Sequence, residues 1–220
     1  FAHGAGLFQR YGVAVESTSS GRGVNVDALL SNAAEIVLGA PTQTMRVQMQ
    51  GRPLKMIAGM VNKYASHIVV RKAILDRLGV TEASPVERKI AALRGLKLGT
   101  TGPGAAPDSL IRWFLARANM DPDRDVELVT IQGGGPALLA AFQRESIDGF
   151  CLSSPTSDVA VSRFGAAYLF NMSRNPPPEL ADYLYIAVSV NDRTITERAA
   201  QLTAYCRALA AAQREIAANP

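Results

Sequence analysis

Two cysteines, two histidines and one tryptophan in 220 residues leave little from which thiol or metal chemistry could be built. Cys151 and Cys206 fall in an expected buried strand and an expected helix, without CxxC or zinc-ligand spacing, and read as packing residues; nothing supports a disulfide between them. No Ser-His-Asp arrangement, metal-ligand spacing or paired carboxylate constellation stands out. Uninterrupted apolar runs of about 18 residues are also missing, which excludes a membrane-spanning helix. The alanine-rich stretch near Leu209 is broken by Gln213, Arg214 and Glu215. Aromatic residues make up only 6% of the chain, and the basic residues behind its net charge of +4 are scattered singly. With neither a stacking platform nor a basic stripe, nucleic acid is excluded as a partner. Mild basicity fits a small anionic ligand or simply a solvated surface. No fixed-period repeat or low-complexity segment occurs.

The hydrophobic fraction of 48% is enough to fill the core of one large or two small domains. Between Leu93 and Pro155 the pattern runs strand, glycine-rich turn, helix, strand, glycine-rich turn, helix, strand. The strands are expected at Lys97 to Thr101, Val126 to Ile131 and Ile147 to Leu152. The helices between them, about Asp108 to Ala118 and Pro136 to Arg144, carry Leu110, Ile111, Phe114 and Leu115, then Leu138, Leu139 and Phe142, at helical spacing. Such alternation implies right-handed crossovers and a mainly parallel sheet. Ligands collect at the carboxyl ends of such strands, here Gly102-Pro103-Gly104-Ala105, Gly133-Gly134-Gly135-Pro136 and Ser153-Ser154-Pro155-Thr156.

A second alternating pattern precedes this run. Helices are expected near Gly4 to Tyr11 and Asp27 to Ser31, strands at Val13 to Ser17 and Glu35 to Leu38, and a helix after the turn Gly39-Ala40-Pro41-Thr42. Leu54 to Met60 and Ser66 to Val70 read as strands, and Arg71 to Arg88 as a mixed, charged connection. After Pro155 come a helix, the strand Ala167 to Asn171, the loop Asn175-Pro176-Pro177-Pro178, and the strand Tyr185 to Val190. A final helix from about Thr196 to Ala218 has Thr194 or Thr196 available as its N-cap.

Several segments resemble the extracytoplasmic solute-binding proteins of ABC importers, in the group handling nitrate, sulfonates, taurine and thiamine pyrimidine precursors. Gly6-Leu7-Phe8-Gln9-Arg10-Tyr11-Gly12-Val13 is similar to that family's "GLFxKYGL" opening, and Leu29 to Ile36 to its "ALxSGxADI". Leu93 to Gly99, Gly102 to Gly104, Asp121 to Val126 and Ala140 to Gly149 follow in the family's order, so the resemblance covers nearly the whole chain. Where the family often has Gly and Asp in its "SGxAD" and "GxxDA" turns, this chain has Asn32, Glu35 and Glu145, while Asp148 is kept. The resemblance implies an α/β type II periplasmic-binding-protein fold, two lobes with a hinge and an interlobe cleft. Lobe one would be 1–70 plus 190–220 and lobe two 72–185, with hinges near Val70-Arg71 and Ala187-Val188. It further implies a receptor without catalytic residues, metal or cofactor, working as a monomer. Its partners would be a small solute and an ABC permease, and its location periplasmic or lipid-anchored. The family's first strand is absent before Phe1, as are helices expected beyond Pro220, which suggests a portion of a longer protein.

Each candidate ligand group carries a second reading. The turn with Gly102, Gly104 and Ala105 can aim backbone N–H groups at an anion, or simply start a helix, with Asp108 or Ser109 as the cap. A capping Asp108 would make that turn less welcoming to a phosphate or sulfonate. Gly134 lies in a turn without a P-loop lysine, which argues against nucleotide binding. Gly39, Ala40, Pro41 and Thr42 form the opposite-lobe counterpart, where Thr42 offers a hydroxyl or a helix cap. Tyr64, Ser66 and His67 supply stacking or hydrogen bonds, His67 reading equally as a structural histidine. Ser153, Ser154 and Thr156 offer uncharged hydrogen bonds or begin the next helix. Trp113 reads as packing, and His3 as a pocket residue or a frayed end.

Two other functions fit a fold of this kind. One is a thiamine-pyrimidine synthase-like enzyme using pyridoxal phosphate and a histidine; those enzymes carry a cysteine-rich motif, against which this chain offers only Cys151. The other is the effector-binding domain of a transcription regulator, against which the "GLFxRYG" opening favours the transport family.

Overall fold

The structure is a computed structural model describing residues 1–18 and 25–219. Its chain divides into two compact units, Phe1–Met60 with Ile186–Pro220, and Val61–Tyr185. The chain passes between them at residues 60–61 and 185–186, and the backbone N–H of Tyr185 donates to Val61 O at 2.7 Å.

The first unit opens with the short helix α1 (Leu7–Arg10), which buries Leu7 and Phe8. Then come α2 (Asn25–Leu30), β1 (Val37–Gly39), α3 (Pro41–Met49) and β2 (Leu54–Val61). The expected strand Val13 to Ser17 belongs to no ladder; Val13 and Val15 instead pack against a core cluster built around Leu7, Phe8, Val188 and Tyr205. The expected strand Glu35 to Leu38 forms two residues later.

The second unit begins with β3 (Ser66–Arg71), α4 (Lys72–Leu78) and α5 (Val86–Ala91). Arg71 to Arg88, read from the sequence as a mixed, charged connection, is helical in part. Leu75 and Ile90 reach the core, Lys89 is buried with its ammonium 4.4 Å from the Phe170 ring centroid, and Gly79 stops α4 in the left-handed conformation at φ 61°. The strand-turn-helix run follows as β4 (Lys97–Thr100), α6 (Ala106–Arg117), β5 (Glu127–Thr130), α7 (Gly134–Gln143), β6 (Gly149–Ser153), α8 (Thr156–Arg163) and β7 (Ala166–Phe170).

These strands form one five-stranded sheet in the order β5-β4-β6-β3-β7. β4 runs parallel to β5 and β6, whereas β3 runs antiparallel to both β6 and β7. Ser66–Arg71 thus sits inside this sheet and not at the end of the first lobe, where the sequence had put it. An unbroken apolar strand is buried on both faces, and β3 is: Ile68 and Val70 face one core cluster with Leu98, Phe114 and Phe170, Val69 the other with Leu138, Phe142 and Phe150. Cys151 is a buried free thiol in the first of these clusters, and Trp113 packs half-buried against it.

Back in the first unit, β8 (Ile186–Asn191) lies between β1 and β2 in a three-stranded sheet, pairing antiparallel with β1. The expected final helix is two helices, α9 (Asp192–Glu197) and α10 (Ala199–Ala218), broken at Arg198 with φ −126°. Asn191 caps α9, its side chain accepting the Thr194 N–H at 2.8 Å, and α10 follows Arg198 without a side-chain cap, so neither Thr194 nor Thr196 is the cap expected. Among the described residues no helix is long and apolar enough to cross a membrane.

Candidate functional site

Register places four chain segments along one edge of the five-stranded sheet. Thr100 lies beside Thr130, Gly99 beside Phe150, and Ser66 opposite Ser153. The carboxyl ends of β4, β5 and β6 and the start of β3 therefore share that edge, the place where an open α/β sheet leaves room for a ligand.

At the start of α6 the backbone of Gly102 has φ 131°, a conformation in practice reserved for glycine. The N-cap is Ala105, with neither Asp108 nor Ser109 in that position. Asp108 sits one turn in, 2% exposed, and its carboxylate reaches back to accept the Gly104 N–H at 3.1 Å. Arg112 Nε lies 3.1 and 3.3 Å from the two Asp108 oxygens. Gly104 is exposed and Ala105 half-buried.

The turn after β5 leads into α7, whose first turn holds no acidic residue. Gly135 there lies so close to the start of α8 that an added Cβ would overlap Thr156 Oγ1. An added Cβ on Gly102 would lie 3.7 Å from the Thr130 methyl. The structure thus brings together the turns bearing Gly102, Gly134 and Thr156. Ser153 and Thr156 are half-buried and Ser154 exposed. Asp158, in the first turn of α8, accepts the Tyr168 hydroxyl. That bond first, and the Ser154 hydroxyl second, hold its carboxyl below the usual range against the opposing effect of desolvation.

Tyr64, Ser66 and His67 lie at the same edge with the two hydroxyls and the His67 Nδ1 already engaged. Tyr64 is buried and donates its hydroxyl to Ala106 O at 2.6 Å. Its ring packs against Tyr183 and Tyr185, with centroids 4.8 and 5.1 Å away. Burial pushes the Tyr64 and Tyr185 phenols up. The Ser66 and Tyr185 hydroxyls bond each other at 2.6 Å. His67 accepts the Met172 N–H on Nδ1 at 3.1 Å and meets the Tyr168 ring edge-on at 5.6 Å. Burial lowers its pKa, partly opposed by the charges of Asp158 and Glu82.

Gly39, Ala40, Pro41 and Thr42 belong to the first unit. Gly39 ends β1, Ala40 is the N-cap of α3, Pro41 is buried at its first position, and the exposed Thr42 follows inside the helix without capping it. Thr44 anchors that helix through a buried hydroxyl bond to Ser189 at 2.8 Å. His3 is exposed. Sequence reading missed Asp158, Tyr168, Tyr183 and Tyr185; the alternation Tyr183-Leu184-Tyr185 just before a strand was a usable signal, since residues two apart share a face. Among the described residues no three His, Cys, Asp or Glu side chains gather to hold a metal ion.

Known proteins share this architecture. A nitrate import ATP-binding protein, NrtC of Synechocystis, is 27% identical over 135 residues, which cover 60% of this chain and 20% of that protein. The chain spans about a fifth of the length of such curated relatives. The periplasmic nitrate-binding protein NrtA from Synechocystis PCC 6803 superposes with a TM-score of 0.72 at 19% identity, covering 97% of this chain and 57% of that one. The periplasmic aliphatic sulphonate binding protein SsuA from Escherichia coli gives 0.67 at 18% identity, with coverages of 97% and 69%. These likenesses establish the fold as that of type II periplasmic binding proteins, in agreement with the two α/β units and two sheets. Residues 1–220 match the NMT1-like family throughout, and the chain belongs to that family.

Proposed function

We propose that this chain is the ligand-binding part of an extracytoplasmic receptor that delivers a small solute to the permease of an ABC importer, binding it without chemistry and as a monomer. The observation that carries the reading is the convergence of strand-end turns along one edge of the second unit's sheet, in a chain of this family. The turns bearing Gly102, Gly104, Ala105 and Gly134, with the hydroxyls of Ser153, Ser154 and Thr156, are the groups placed to meet a solute, although the Gly104 and Ala105 N–H groups and the Ser154 hydroxyl already have partners inside the chain. Tyr64, Ser66 and His67 act one layer behind, fixing the edge through their internal hydrogen bonds. In the first unit, Gly39, Ala40, Pro41 and Thr42 form the corresponding turn. The receptors similar to this chain are named for nitrate and for aliphatic sulphonates, which supports a small polar solute. Extracytoplasmic placement rests on the same neighbours.

The test is thermal shift and calorimetry against nitrate, bicarbonate, sulfonates, taurine, pyrimidines, aromatic acids and pyridoxal phosphate. The reading expects stabilisation by one class of solute, weakened by Thr156→Val and Ser154→Ala. Product formation from any of them, or the absence of stabilisation by all, contradicts it.

A further inference from the structure

Of the two histidines, His3 is exposed, whereas His67 is only 3% exposed. His67 lies on the face of β3 that α7 and α8 cover: Leu152, its ladder partner, and Val69, two residues on, both pack in the cluster with Leu138, Phe142 and Ala160. Ile68 pairs with Phe170, so the chain leaving β7 emerges at the edge where β3 begins, the edge proposed to meet a solute. There residues 171–175 form a tight turn, in which Asn171 O accepts the Arg174 and Asn175 N–H groups at 3.2 and 2.9 Å. This turn brings the exposed Arg174 to that edge. Its start is fastened to β3, where the Met172 N–H donates to His67 Nδ1 at 3.1 Å. Its end is held more loosely, with Asn175 Nδ2 3.5 Å from Glu82 Oε1.

A neutral imidazole has one donor and one acceptor nitrogen, while an imidazolium has two donors. Accepting from the Met172 N–H therefore fixes the proton of the neutral ring on Nε2. Protonating Nδ1 destroys that bond and leaves two N–H groups facing each other at a buried site, an arrangement that forces the turn and the ring apart. The groups around the ring set the balance. Burial, the larger effect, disfavours the charged form, while Asp158 of α8 and Glu82 before α5 favour it. Asp158 is itself engaged by the hydroxyl of Tyr168, whose ring meets His67 edge-on, and the Arg174 charge is felt at that phenol. Lys89 Nζ lies against Glu82, donating to its carbonyl at 3.1 Å.

We infer that His67 is a positioning residue that makes solute binding sensitive to acid: neutral, it holds residues 171–175 at the edge of the sheet, and protonated, it releases them. The inference rests on the binding function proposed above and adds a pH-dependent control to that same edge. Because burial keeps the folded pKa below the ordinary 6.5, the neutral ring persists through pH 7, and affinity declines only below about pH 6.5.

Ring-nitrogen NMR and amide hydrogen exchange between about pH 8 and pH 5 test the switch without any solute. The neutral ring should carry its proton on Nε2 and titrate below about pH 6.5. Protection of the Met172 amide should fall about tenfold or more across that titration, relative to amides in the middle of β3, which separates local release from unfolding. A proton on Nδ1 at neutral pH, or Met172 protection indifferent to the titration, overturns the inference. Calorimetry at about pH 7.5 and pH 5.0 then uses whichever of nitrate, methanesulfonate and taurine binds, since none of them changes charge between those values. Affinity should be about threefold or more weaker at the lower pH, toward a limit of about tenfold per pH unit below the folded pKa if only the neutral form binds. His67→Gln supplies an acceptor that cannot titrate, so it should abolish this dependence; an equal loss in the variant overturns the inference. Binding of equal strength at both pH values also overturns it and leaves the receptor reading standing. Indifference to every solute of the wider set, at either pH, ends both.

Discussion

Gly149→Ala probes the placement of β3 inside the second unit's sheet. Gly149 pairs with Val70 across the antiparallel β3/β6 ladder. A Cβ there would fall well inside contact distance of Val69 O and 3.1 Å from Val70 Cα, both backbone atoms of a strand held on each side by neighbours. Gly149 is not among the residues with positive φ, so alanine suffers no backbone strain and the whole effect is overlap. Overpacking typically costs about 1–3 kcal/mol, and a rigid backbone neighbour puts this site at the upper end, about 3 kcal/mol. Gly99→Ala is the comparison: its Cβ would meet Leu138 Cδ2 at 2.7 Å and Ile147 Cδ1 at 2.9 Å, the flexible ends of side chains. That substitution should cost about 1–2 kcal/mol. Urea unfolding followed by the fluorescence of Trp113, the chain's one tryptophan, reports on this unit. A Gly149→Ala stability within about 0.5 kcal/mol of wild type, the ordinary scatter of innocuous substitutions, would refute the β3/β6 register and return Ser66–Arg71 to the other unit.

Glu145 holds φ 59° in the turn between α7 and β6, and its ion pair with Arg71 at 3.8 Å is 79% exposed on the glutamate side. Glu145→Gly should therefore raise stability by about 0.5 kcal/mol, since relief of left-handed strain outweighs the unfolded-state entropy of glycine and a weak surface pair; a lower urea midpoint would contradict this. His67 has its folded pKa below the unfolded value near 6.5, so the unfolded chain takes up the proton first. Its contribution is complete above about pH 6.5 and is lost as pH falls from there through the folded pKa, and His67→Gln should flatten the unfolding free energy over that window.

The alternation of strands and helices from Lys97 to Arg163 was legible because each element carries its own hydrophobic period and its own turn chemistry. Pairing was not. Ser66–Arg71 reads as a strand anywhere, and only its partners β6 and β7 decide which sheet holds it. Val13 to Ser17 shows the converse, a strand-like alternation that packs on a core without a ladder. The family's glycine positions became intelligible in the structure: Asn32 and Glu145 both stand at positive φ, so glycine suits those turns for backbone reasons. The retained Asp148 accepts the Lys97 N–H at 2.9 Å and so ties the start of β4 beside β6, a long-range bond that no local pattern announces. In the site, the sequence located the turns from glycine and serine alone. The reach of Asp108 back to Gly104 and the tyrosine packing around Tyr64 depend on side-chain direction and tertiary neighbours, beyond what spacing can specify.

Receptor function is tested most directly by isothermal titration with the solute that gives the largest thermal shift, followed by heat release of the bound molecule and mass spectrometry. A binding protein gives one solute per chain, recovered chemically unchanged after hours of incubation. A recovered product with altered mass, or no saturable binding by any solute tested, would contradict the account.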